Sequence, residues 1–194
     1  MKRVAVFTGS SPGSHPEYLE AARDCGDTLA RRGLTLVYGG ARVGLMGAMA
    51  DAVLAAGGHA IGVIPRALVA REIAHAGLPD LRVVTSMHER KAMMADLADA
   101  FVALPGGFGT FEEFCEAVTW TQLGVHRKRC GLLNVSGFYD PLLALVDRAV
   151  DEGFVRPENR DIVVTDDHPG RLLDRLAEPL AGDRPSWIQT PGGT

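Results

Sequence analysis

"AFVALPGGFGTFEE", residues Ala100–Glu113, is the stretch whose reading decides the fold. Five apolar residues lead into Pro105, glycines follow at Gly106, Gly107 and Gly109, and two acids close the run. A short apolar run without polar alternation has the character of a strand buried on both faces. The segment beyond the glycines predicts a helix from about Phe111 to Leu123. A strand therefore hands over to a helix through a glycine-rich loop, which is the repeating unit of an α/β protein.

The same beat recurs along the chain. Apolar, β-branched runs lie at Val4–Thr8, Leu34–Gly39, Ala60–Ile64, Leu81–Thr85, Cys130–Val135 and Ile162–Thr165. Between them are helical patterns with stop signals. "PEYLEAARDCGDTLARRG" ends on two arginines and Gly33, "MGAMADAVLAAGG" on Gly57 and Gly58, and "PLLALVDRAVDEG" on Gly153. The prediction is one α/β domain over residues 1–194, doubly wound, with a mostly parallel sheet of about seven strands and helices on both faces. The end of the chain, from about residue 183, reads as a loose tail in which only Trp187 and Ile188 have the character to dock.

Composition narrows the function classes. The 194 residues are 46% hydrophobic and 23% charged, with a net charge of -4. That balance is ordinary for a soluble globular chain and argues against a nucleic-acid partner, whose binding surface would be basic. No apolar run reaches membrane-spanning length, and "MKRVAVFTGS" is too short in its apolar part for a signal peptide, so no membrane partner and a cytoplasmic location are expected. Cys25, Cys115 and Cys130 are far apart and unpaired in spacing, and are expected to be reduced, buried thiols. The histidines show no ligand spacing, so no metal is expected.

In a doubly wound sheet the ligand crevice lies at the carboxyl ends of the strands. Three glycine-rich loops fall on that edge: "TGSSPGS" (Thr8–Ser14), "YGGARVGLMG" (Tyr38–Gly47) and "PGGFGT" (Pro105–Thr110). Each alone can be a tight turn. Together they point to a phosphorylated ligand, because glycines let backbone N–H groups converge and a helix N-terminus adds positive potential. None carries the Lys-Ser or Lys-Thr of a P-loop, and none spells the dinucleotide fingerprint.

The acids have a plainer alternative. Thr110 and Glu113 have the spacing of a capping box, as do Ser86 and Glu89 in "TSMHERKAMM" (Thr85–Met94). Arg90 and Lys91, however, follow at a helix start, where the helix dipole disfavours cations. Two cations there imply anionic or carboxylate partners.

At this point a resemblance becomes specific. "PGGFGTFEE" and "SMHERKAMM" resemble the two motifs of the Lonely Guy (LOG) family, and the similarity extends from "GSSPG" to about Gly153. The family consists of cytokinin riboside 5'-monophosphate phosphoribohydrolases, long labelled lysine decarboxylases. The resemblance implies a Rossmann-like homodimer that cuts the N-glycosidic bond of cytokinin riboside 5'-monophosphates, and AMP, to a free base and ribose 5-phosphate, with no cofactor. It assigns Arg90 and Glu113 as the catalytic pair. It assigns Gly106, Gly107, Gly109 and Thr110 as the phosphate loop, with Ser10, Gly39, Gly40, Met87 and Lys91 as further substrate contacts. Two alternatives stay open: a general purine nucleoside monophosphate nucleosidase, and a nucleotide-binding sensor, which would keep the loops without needing Arg90 and Glu113. The largely apolar helix "TFEEFCEAVTWTQLGV" and the "MGAMADAVLAA" helix are the expected dimer surface.

Overall fold

A computed structural model describes residues 1–69 and 74–180. The elements in chain order are β1 (Arg3–Phe7), α1 (Pro16–Arg31), β2 (Thr35–Tyr38), α2 (Gly44–Ala55), β3 (Ala60–Pro65), α3 (Arg66–Val69), β4 (Asp80–Val84), α4 (Met87–Leu97), β5 (Ala100–Ala103), α5 (Phe108–Gln122), β6 (Cys130–Leu133), α6 (Asp140–Asp151), α7 (Pro157–Arg160), β7 (Val163–Asp166) and α8 (Pro169–Ala177). The strands form one 7-stranded sheet in the order β4-β3-β2-β1-β5-β6-β7. Every pairing between them is parallel. The tail from residue 183 lies outside the described residues.

Alternation along the strands builds two cores. Val4, Val6, Leu36, Tyr38, Val102 and Leu133 face α1, α2 and α8, through Leu29, Met49, Val53, Leu172 and Leu176. Ala5, Phe7, Val37, Val63, Phe101 and Leu132 face the other way, onto Met94 and Ala95 of α4 and Phe114 and Ala117 of α5. The central strands are thus buried on both faces, which is why they read as unbroken apolar runs. The edges differ. In β4 only Val84 is buried, Val83 is exposed, and Arg82 is paired with Asp80. Cys25 and Cys130 are buried as expected, but Cys115 is exposed, because it lies on the outer side of α5.

Helix ends follow local chemistry. Pro16 and Glu17 open α1, Arg31 closes it, and Gly33 at φ +66° turns the chain into β2. The first strand is flanked by β2 on one side and β5 on the other, so the winding direction reverses between β1 and β5. That switch point opens a crevice at the carboxyl ends of both strands. The two loops there are tied together: Leu104 N–H donates to Phe7 O at 2.9 Å, and Gly9 N–H donates to Pro105 O at 3.1 Å.

The helix pair α1–α2 depends on one close approach. A Cβ on Gly26 would come within 2.4 Å of the Met49 carbonyl oxygen, a backbone atom that cannot turn aside. Gly26→Val is therefore expected to destabilise the protein by about 2 kcal/mol through overpacking. Thermal unfolding should fall by roughly 4–8 °C for a chain of this size. An unchanged midpoint would mean the two helices are not held at this distance in solution.

Candidate active site

The site grows from the start of α5. Its N-cap is Gly107, at φ −102°, with no side-chain cap. The first helical backbone bond runs from Phe111 N–H to Gly107 O at 3.1 Å. The N–H groups of Phe108, Gly109 and Thr110 therefore have no intrahelical acceptor, and the positive end of the helix is left open. A Cβ on Gly107 or Gly109 would meet nothing within 4 Å. These two glycines are not needed for packing; they leave a bare backbone surface facing space.

The expected capping box at Thr110 and Glu113 is absent. The helix starts at Phe108 rather than near Phe111, which puts Glu113 in its second turn. The box at α4 does form, shifted by one residue in its second half. Ser86 Oγ accepts from Glu89 N–H at 3.1 Å, while Glu89 Oε2 accepts from the Thr85 N–H and hydroxyl at 2.7 and 2.6 Å.

In place of a cap, Glu113 has Arg90. Arg90 Nη2 lies 3.3 Å from Glu113 Oε1, and both residues are only 8% exposed. The guanidinium occupies space that only glycine leaves: a Cβ on Gly39 would fall 2.1 Å from Arg90 Nη2. Arg90 is far from saturated, since its Nε is buried without a hydrogen-bond partner. Burial pushes the Glu113 carboxyl above its ordinary value, and the opposing Arg90 charge does not fully offset this. Arg90 draws the carboxyl down, as an opposite charge must, but burial is the larger influence and the net direction is upward.

Both residues line a cleft of about 640 Å³ at the switch point. Its wall includes Ser10 from the loop after β1, Gly39 after β2, Met87 and Arg90 from α4, and Gly107, Gly109, Thr110 and Glu113 from α5. Eight of the expected site residues thus converge on one space. Three do not line it. Gly106 lines an adjoining pocket of about 270 Å³ that shares Gly9, Ser10 and Gly107 with the cleft. Gly40 turns the chain at φ +71° against Ile64 and Leu81. Lys91 reaches across to α5, where Glu112 Oε1 and Glu116 Oε1 lie 2.5 and 3.0 Å from its Nζ.

The cleft also has lining residues that the sequence did not single out. Val43, Met46, Leu68 and Phe108 give it an apolar portion. Phe108 is 92% exposed, an unusual position for a phenylalanine. Its placement inside a glycine loop, away from any apolar period, was the available signal. Among the described residues no group of His, Cys, Asp and Glu is arranged to hold a metal ion.

With this geometry established, the chain can be set beside known proteins. A family model described as "Possible lysine decarboxylase" matches residues 46–176. Cytokinin riboside 5'-monophosphate phosphoribohydrolase LOG7 of Arabidopsis thaliana is 51% identical over 177 residues, covering 91% of this chain and 82% of that protein. Cytokinin riboside 5'-monophosphate phosphoribohydrolase LOG of Oryza sativa subsp. japonica is 49% identical over 177 residues, covering 91% of this chain and 73% of its own. Among solved structures, the molybdenum cofactor carrier protein of Chlamydomonas reinhardtii superposes with a TM-score of 0.69 at 21% identity, over 91% of this chain and 99% of that one. The molybdenum cofactor binding protein of Rippkaea orientalis gives 0.68 at 20%, over 90% and 94%. At such identity the structural likeness speaks for the fold alone.

The open N-terminus of α5 can be tested by filling it. Gly107→Asp has room for its side chain and an allowed backbone, and would cap the free N–H groups. Thermal stability should hold or rise slightly. Calorimetric titration with AMP should show binding weakened at least ~10-fold, because the carboxylate takes the donors and repels phosphate. Parental affinity would show that the anion is held elsewhere.

Proposed function

The chain belongs to the Lonely Guy family of phosphoribohydrolases, and on that premise we propose that it hydrolyses the N-glycosidic bond of cytokinin riboside 5'-monophosphates, and of AMP, to a free base and ribose 5-phosphate. The observation that carries this reading is the buried Arg90–Glu113 pair in the wall of a cleft whose floor is an uncapped helix N-terminus.

The chemistry fits those groups. The 5'-phosphate sits against the N–H groups of Phe108, Gly109 and Thr110, with the Ser10 loop opposite. Binding energy from that remote group aligns the ribose for reaction. Breaking the bond to the base develops oxocarbenium character on the sugar. Glu113 offsets that charge as a carboxylate and takes a proton from the attacking water. Burial holds its carboxyl above the ordinary range, which brings it closer to the pH at which proton exchange is efficient. Arg90 orients Glu113 and has donor capacity in reserve for the departing base. The apolar portion of the cleft accommodates the base.

The decarboxylase description fits less well. A pyridoxal-phosphate enzyme of that type needs a lysine amine free to form a Schiff base. The lysines of this chain are Lys2, Lys91 and Lys128. None lines the cleft; Lys91 is held by two glutamates, and Lys128 donates to Ala95 O at 2.5 Å.

Assembly as a homodimer remains part of the proposal. The expected pairing of α5 with the "MGAMADAVLAA" helix does not form one surface, because α2 packs into the core on the opposite face of the sheet from α5. The surface between α5 and α6 instead presents an apolar groove of about 200 Å³ that includes Val118, Leu142, Val146 and Val163. Light scattering at micromolar concentration should return twice the chain mass, and a monomer mass would remove this element.

Incubation with AMP should release adenine and ribose 5-phosphate in equal amounts. Adenosine, which lacks the phosphate, should be a poorer substrate by at least ~100-fold in kcat/KM, with kcat itself reduced. Equal rates on the two would mean that the α5 N-terminus contributes no alignment. Absence of base release from either AMP or an N6-isoprenoid form would favour a nucleotide-binding sensor.

A further inference from the structure

Glu113 faces a second space. A cavity of about 10 Å³ is lined by Lys91, Glu113 and Glu116, and otherwise by apolar side chains, among them Phe7, Phe101 and Trp120. This is roughly the room one water molecule requires, and the polar lining supplies partners for it. Arg90 does not line it. Glu113 thus borders the large cleft, where it meets Arg90, and a small, water-sized cavity that it shares with Lys91.

Lys91 is the unusual member. It stands in the first turns of α4, where the dipole disfavours a cation. Its side chain is only 10% exposed, a costly place for a long charged chain without purpose. Two of its ammonium donors go to Glu112 and Glu116, which leaves one for the cavity. The charged groups around Glu113 are therefore Arg90 and Lys91 from α4, and Glu112 and Glu116 from its own helix. The other packed elements contribute only apolar groups to this cavity, Phe7 from β1 and Phe101 from β5.

We propose that Lys91 is a positioning residue for the hydrolysis: by clamping Glu112 and Glu116 and facing Glu113 across a water-sized cavity, it keeps Glu113 ionised for reaction. This rests on the hydrolase reading above. The electrostatics agree in sign. Burial is the largest influence on Glu113 and works upward; Arg90 and Lys91 draw it down, while Glu112 and Glu116 push it up. Lys91 itself stays charged: burial opposes its charge, but contacts with Glu112 and Glu116 outweigh that and hold its amine above the ordinary value.

Without Lys91, two uncompensated carboxylates would stand beside Glu113. Its pKa would rise, and a higher pH would be needed to ionise it. Carboxyl-carbon NMR of Glu113 across pH reads this directly, without relying on turnover. In Lys91→Met the Glu113 midpoint should move up by about one pH unit, the scale expected for loss of a nearby opposite charge. The acid limb of the rate profile should move with it, with activity recovered at alkaline pH. Lys91→Arg should keep the parental midpoint, and adding Glu116→Gln to Lys91→Met should bring it part of the way back. If Lys91→Met does not fold, Glu116→Gln alone should lower the midpoint. A Glu113 midpoint unmoved in whichever of these variants folds would overturn the proposal. An inactive parent enzyme would instead count against the hydrolase reading, and the titration would still decide the role of Lys91.

Discussion

The structure turns on the contact between Arg90 and Glu113, two charges buried together at 3.3 Å. Burying either alone would cost several kcal/mol, so each constrains the other. The pair requires α4 and α5 to lie side by side on one face of the sheet. It requires Gly39 at the end of β2, since any side chain there would displace the guanidinium. It also requires the loop after β5 to start α5 early enough to bring Glu113 round to the inner face. A buried ion pair is weak support for stability. Its place in the wall of a cleft is what the proposed function puts to use.

The sheet supplies the rest. Because the winding reverses between β1 and β5, their loops diverge and leave a crevice that neither helix layer fills. One end of the crevice is a helix N-terminus with no side-chain cap, the kind of donor set that suits an anion. Glu113 stands one turn further along the same helix, and Arg90 reaches it from α4. A 5'-phosphorylated ligand anchored at the first turn of α5 would therefore present its sugar near Glu113. In the proposed mechanism, the distance between phosphate recognition and chemistry would be set by the pitch of a single helix, about 5.4 Å per turn.

Much of this was legible in the sequence, for identifiable reasons. The central strands announce themselves because burial on both faces demands unbroken apolar runs, as in Val4–Phe7 and Ala100–Ala103. The edge strand β4 was legible in place but not in exposure, since Arg82 and Val83 interrupt that logic. The start of α5 was misread because the spacing of Thr110 and Glu113 imitates a capping box, while a glycine cap leaves no signal. Arg90 and Lys91 stood out as cations where the dipole disfavours them, but their partners could not be read from local pattern. Lys91 meets Glu112 and Glu116 across 21 and 25 residues of chain. Such pairings exist only once two helices are laid on the same sheet face. Family resemblance, rather than periodicity, singled out Glu113, and the fold supplies its physical setting.

The most direct measurement is a kinetic cycle on Glu113→Gln, Arg90→Ala and their double variant, beside Glu112→Gln as a neighbouring control. Glu113→Gln should fold, melt within a few degrees of the parent and still bind AMP, yet lose at least ~100-fold in kcat, because an amide neither balances an oxocarbenium ion nor accepts a proton from water. Arg90→Ala should lose a similar factor and the double variant little more, the mark of two groups acting as one. Glu112→Gln should be much milder. Near-parental turnover in Glu113→Gln would contradict the assignment and leave the buried pair as a purely structural contact.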